Sequence, residues 1–78
     1  MSDNDAVVMV DARGLACPEP LMMAKSALNR AGTRVVEITV DTATSRNNIL
    51  RMAERERREA EARTDGDDFV VRIGGRKA

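Results

Sequence analysis

Residues 17–20 read Cys-Pro-Glu-Pro, and Cys17 is the only cysteine of a chain that has no histidine. One thiol cannot make an internal disulfide or a Cys-x-x-Cys redox pair. Without histidine, neither a Cys–His hydrolase nor a Cys/His zinc site can be assembled. What remains is the chemistry a thiolate performs unaided, above all exchange between sulfur atoms, which is fastest when the attacking thiol has a pKa near ambient pH. The bland alternative is a small buried apolar residue, the usual role of a lone cysteine. The two prolines weigh against it. Proline is tolerated in a helix's first turn, where the N–H groups have no intrahelical partner. Pro18 and Pro20 therefore mark a helix start, with Cys17 at or just before the N-cap on an accessible strand-to-helix turn. A helix N-terminus carries about half a positive charge and favours thiolate over thiol. Arg13 and Lys25 are near enough in sequence to add to that field, Glu19 opposes it, and the prolines remove two N–H donors. The expected effect on the thiol is a modest pKa depression.

The elements that must position this turn follow from periodicity. Val7-Val8-Met9-Val10 reads as a strand ending at Asp11. From Leu21 the apolar residues Leu21, Ala24, Leu28 and Ala31 recur at helical spacing, and Gly32 stands where a helix C′ residue belongs, so a first helix spans roughly 18–31. Residues 34–40 alternate, with Val36, Ile38 and Val40 on one side, which predicts a second strand with one buried face. Asp41 to Thr44 turn the chain, and Thr44 or Ser45 is the expected N-cap of a second helix carrying Ile49, Leu50, Met52 and Ala53. The stretch ERERREAEAR, residues 54–63, then gives conflicting signals. It is rich in helix formers and offers Glu54–Arg58 as an i,i+4 pair, yet from Glu59 its period changes to two. Residues 59–64 read as an edge strand whose charges discourage edge pairing, against the competing reading of a helix running to Arg63. Asp65-Gly66 signals a hairpin into the strand Phe69–Ile73.

The order βαβαββ predicts a two-layer α/β sandwich, with a mixed four-stranded sheet and both helices on one face, because parallel crossovers are right-handed. One domain spans residues 6–74, with tails at 1–5 and 75–78. Thirteen basic residues balance thirteen acidic ones, so the formal net charge is zero. Sequence-independent nucleic-acid binding normally needs a basic excess, so direct binding of that kind is not expected. The Arg/Glu run from 51 to 63 reads as a solvated, ion-paired face. Met22 and Met23 could form a soft docking surface, but core filling is the favoured reading. No apolar run reaches the ~20 residues that span a bilayer. The acidic start Met1-Ser2-Asp3-Asn4-Asp5 lacks a signal-peptide h-region, so a cytoplasmic location is expected.

Residues 10–28, VDARGLACPEPLMMAKSAL, closely resemble the signature of the TusA/SirA/YedF family of small sulfur-carrier proteins. The Asp-x-Arg-Gly-Leu lead-in and Cys-Pro-x-Pro carry the likeness, and the βαβαββ order and chain length agree with it. The resemblance implies that Cys17 holds a transferable sulfur as a persulfide, with Pro18 and Pro20 setting its helix, Glu19 between them, and Arg13 and Gly14 shaping the turn before it. It implies a sulfurtransferase-type carrier that works with partners and needs no cofactor or metal. A donor of the cysteine desulfurase or rhodanese type would load it, and an acceptor protein would take the sulfur. The second half departs from TusA proper, which usually has Asp-Asp-Pro after the second strand where this chain has Asp41-Thr42-Ala43. Residues 44–54, TSRNNILRMAE, look more like the YedF-type branch, which puts the tRNA-thiolation partner set in doubt while leaving the carrier chemistry. The alternative is a non-catalytic protein-binding or regulatory module on the same scaffold, which would tolerate Cys17→Ser.

Overall fold

The computed structural model describes residues 7–16, 18–32 and 34–76; the expected tail at 1–5 and Cys17 itself lie outside the described residues. Six elements follow one another: β1 (Val7–Asp11), α1 (Glu19–Ala31), β2 (Val35–Val40), α2 (Ala43–Arg55), β3 (Arg58–Asp65) and β4 (Asp68–Arg76). The sheet order is β1-β2-β4-β3. β1 and β2 are parallel, and β4 runs antiparallel to both β2 and β3. This is the mixed four-stranded sheet with two covering helices that the element order predicts.

The core forms where the period-two face of the sheet meets the helical stripes. Val36, Ile38 and Val40 of β2 and Val71 and Ile73 of β4 are all 0% exposed. They pack with Ala24, Ala27, Leu28 and Ala31 of α1 and with Ile49, Met52 and Ala53 of α2. Alanines dominate the inward stripe of α1, so the helix can approach the sheet closely without large side chains between them. Met23 packs partly against this core, but Met22 is 62% exposed and is not a core residue. It stands off the stripe set by Pro20, Ala24, Ala27 and Leu28. On the opposite face of the sheet Glu37 bridges β4 and β3, accepting from Arg72 at 2.8 Å and lying 3.6 Å from Arg63.

Several boundaries differ from the sequence expectation. The N-cap of α2 is Thr42, not Thr44 or Ser45: it is extended, and its hydroxyl accepts from the Ser45 N–H at 3.1 Å. Ser45 instead turns inward on the first turn and is buried. The helix ends at Arg55, so Arg58 belongs to β3 and the helical Glu54–Arg58 spacing does not arise. The reversal is made by Arg57, whose φ of 58° is left-handed. β4 continues through Arg76, past the point at Gly74 where its alternation of side chains stops, because Arg58 still pairs with Arg76 across a bulge. Gly66, at φ 63°, sits first in the two-residue turn between Asp65 and Asp68, as a type II′ hairpin requires.

Candidate functional site: the loop between β1 and α1

β1 and β2 are parallel neighbours, so their carboxyl ends release two loops side by side at one edge of the sheet. Such edges are where open α/β sheets place their sites. The first loop runs from Ala12 to Pro18. Ala12 extends the ladder by donating to the Thr39 carbonyl at 2.9 Å and is itself buried. The chain then turns at Arg13-Gly14, with Gly14 at φ 78°, a conformation that a residue with Cβ adopts only at a cost. Leu15 packs partly on the core. The Ala16 carbonyl accepts from Glu19 N–H at 2.9 Å, which ties the end of the loop to the first turn of α1.

Two carboxylates from different strands, β1 and β4, grip Arg13. Asp11 Oδ1 accepts from the Arg13 backbone N–H at 3.1 Å and from Nε at 2.9 Å, while Nη2 donates to Oδ2 at 2.9 Å. Asp68, at the start of β4, accepts from Nη1 at a longer 3.4 Å. The side-chain and backbone hydrogen bonds from Arg13 hold the Asp11 carboxyl well below the usual carboxylate value of 3.8, at about 2. The same partners, Asp11 first, push the guanidinium's pKa upward. Because the folded value of Asp11 is depressed, its contribution is complete above pH 3.8 and fades as pH falls through about 2, so the clamp is intact at neutral pH. Both side chains are more than half exposed, which limits the clamp's contribution to global stability. It fixes direction rather than supplying stability. Arg13 is therefore already charge-compensated by Asp11 and Asp68, which weakens the positive field it presents beyond the clamp.

A third carboxylate reaches the loop from farther away. Asp41, between the end of β2 and the N-cap of α2, accepts from the Gly14 N–H at 2.8 Å. Sequence reasoning gave Asp41 only a turn role. A contact between residues 14 and 41 has no periodic or local signature, and only the parallel pairing of β1 with β2 makes it visible.

Pro18 is the N-cap of α1 and has no side-chain capping bond, and Pro20 follows within the first turn. Pro18 and Glu19 are exposed, whereas Pro20 is among the most fully buried side chains. With two positions lacking N–H and the Glu19 N–H spent on Ala16, the start of α1 offers few amide donors, and its positive character is mainly that of the helix dipole. The structure thus brings Arg13, Gly14, Pro18, Glu19 and Pro20 onto one loop-helix junction. In the chain, Cys17 stands between Ala16 and Pro18.

These features define a class: a two-layer α/β domain that presents a single braced strand-to-helix loop beside the carboxyl ends of two parallel strands. The family model for sulfurtransferase TusA matches residues 8–75. The crystal structure of a SirA-like protein from Desulfitobacterium hafniense is similar, with a TM-score of 0.82 and 34% sequence identity over 90% of this chain and 99% of that one. No curated protein matches the sequence. The chain belongs to the TusA family of sulfurtransferases, whose general role is sulfur carriage in concert with partner proteins. No helix among the described residues is long and apolar enough to cross a membrane.

Proposed function

We propose that Cys17 carries sulfur between two proteins as a persulfide. The Cys17 thiolate attacks the outer sulfur of a donor persulfide. A new S–S bond forms at Cys17 as the donor's S–S bond breaks, and the donor leaves as a thiolate. An acceptor nucleophile then attacks the terminal sulfur and releases the Cys17 thiolate. Each step exchanges one bond for another, so no external oxidant or reductant enters. The observation that supports this reading is the loop itself: Arg13, Gly14 and Ala16 are each tied down by hydrogen bonds immediately before Cys17, and two prolines fix the helix immediately after it. A thiol that only fills a core needs no such bracing. The donor would be a protein persulfide of the cysteine desulfurase or rhodanese type, met in the cytoplasm, and the acceptor a second protein. The resemblance of residues 44–54 to the YedF-type branch favours partners other than those of tRNA thiolation.

The test is intact-mass analysis after incubation with a persulfide donor. The wild type should gain one sulfur atom, located on Cys17, and lose it to a small thiol or an acceptor protein, while Cys17→Ser should gain none. Alkylation of the reduced protein as a function of pH should give an apparent pKa at or below the free-cysteine value of ~8.5. Failure to load, together with a pKa well above that value, would replace the carrier by a binding module with an inert thiol.

A further inference from the structure

Sulfur transfer between two macromolecules requires the attacking atom to be presented along one direction, and the contacts that fix that direction need not touch it. Every described side chain that grips the Arg13 side chain leaves the loop's main chain free to pivot beyond residue 13. Asp11 also holds a main-chain N–H, at Arg13, but from the strand on which the loop begins, and Asp68 contacts only the guanidinium tip. Asp41 differs. Its carboxylate holds a main-chain N–H of the loop itself, at Gly14, three residues before Cys17, from a separate element 27 residues along the chain. It stands just ahead of the α2 N-cap, where an acidic side chain would ordinarily turn to its own helix's free N–H groups. That task falls to Thr42, whose hydroxyl bonds Ser45 N–H, and the Asp41 carboxylate crosses to the neighbouring loop instead. Gly14 is itself left-handed, at φ 78°, so the N–H that Asp41 holds lies at the turn of the loop.

We infer that Asp41 is a positioning residue for sulfur transfer: its carboxylate holds the Gly14 N–H and so sets the direction from which the Cys17 loop meets its partners. This rests on the carrier reading above. What Asp41 supplies is an acceptor oxygen at a fixed place. Its negative charge is incidental, and an amide oxygen in the same position serves as well.

Three variants separate the alternatives. Asp41→Ala removes the acceptor; a hydrogen bond of this kind corresponds to about threefold to tenfold in rate, and transfer from a protein persulfide donor should slow by that much. Asp41→Asn keeps an oxygen at the same distance and should transfer within about twofold of wild type. Thr42→Ala removes the adjacent cap of α2 without touching Gly14, so it loosens the same turn and should leave transfer unchanged. The Gly14 amide proton provides a readout independent of activity: it should resonate downfield in the wild type and in Asp41→Asn, and move upfield in Asp41→Ala. The inference is overturned if Asp41→Ala transfers at the wild-type rate, if Asp41→Asn falls as far as Asp41→Ala, or if Thr42→Ala falls with them. A wild-type protein that takes up no sulfur would instead defeat the carrier reading, and this inference with it.

Discussion

Pro20 does two jobs at once. A first-turn proline ordinarily stabilises by restricting the unfolded chain, worth ~0.4–1 kcal/mol where the native backbone suits it. Here its ring is also below 2% exposed and sits at the head of the α1 stripe that packs on the sheet. Pro20→Ala removes two buried methylenes at ~0.8 kcal/mol each, so the total loss should be about 2 kcal/mol, with the domain still folded at 25 °C. Sulfur transfer should fall further than the folded fraction does, because the helix start loses its fixed direction. Thermal melts beside single-turnover transfer at 15 °C check this; equal losses in the two would make Pro20 purely structural. Much of this junction was legible in the sequence. Pro18 and Pro20 announce the helix start through the proline rule, whereas the turn at Arg13 and Gly14 is implied only by the family resemblance. The Asp41 contact was not legible, because its partner is fixed by strand pairing and not by spacing. The pairing of Arg13 is not legible either, since nothing in the sequence says that two carboxylates from different strands will hold it.

At the scale of elements, the hard passage was the exit from α2, and the structure explains why. A helix that ends in a left-handed residue usually announces it with glycine, as Gly32 does after α1 at φ 65°. After α2 the same kind of position is filled by Arg57 at φ 58°, inside a run of strong helix formers. The stop signal is therefore missing from the composition. The period-two pattern of Ala60 and Ala62 was the remaining cue, and both pair with inward residues of β4, Ile73 and Val71. The left-handed conformation costs a residue with Cβ roughly 1–2 kcal/mol, partly offset on substitution by the greater backbone entropy of glycine. Arg57→Gly should consequently stabilise the domain by about 0.5–1 kcal/mol and leave sulfur transfer unchanged, since Arg57 is exposed and lies on the α2–β3 turn, at the opposite end of α2 from Asp41. Urea titration measures it, and a loss of stability would mean that Arg57 makes contacts that outweigh its backbone strain.

For the whole molecule, the sheet separates two responsibilities. Its interior holds the fold together, and the carboxyl ends of β1 and β2 present the loop. A chain of 78 residues has a margin of roughly 4–12 kcal/mol, so it can lose little from the interior before the loop has nothing to stand on. Ile38 is the sharpest probe of that margin. It is 0% exposed on the central strand β2, with Val10 of β1 on one side and Val71 of β4 on the other. Ile38→Val removes one methyl and should cost ~0.5–1.5 kcal/mol, leaving a folded protein that accepts sulfur at the wild-type rate. Ile38→Ala should cost ~2–5 kcal/mol, a large share of the margin, and depress the thermal midpoint steeply. Any transfer it loses should then follow the unfolded fraction, returning as the temperature is lowered, whereas Cys17→Ser should abolish loading at every temperature with the midpoint intact. Circular dichroism melts run alongside mass-detected sulfur loading distinguish the two behaviours. If Ile38→Val slowed transfer while its midpoint moved by no more than a degree or two, strain in the sheet interior would be reaching the loop, and the division between scaffold and carrier loop would be wrong.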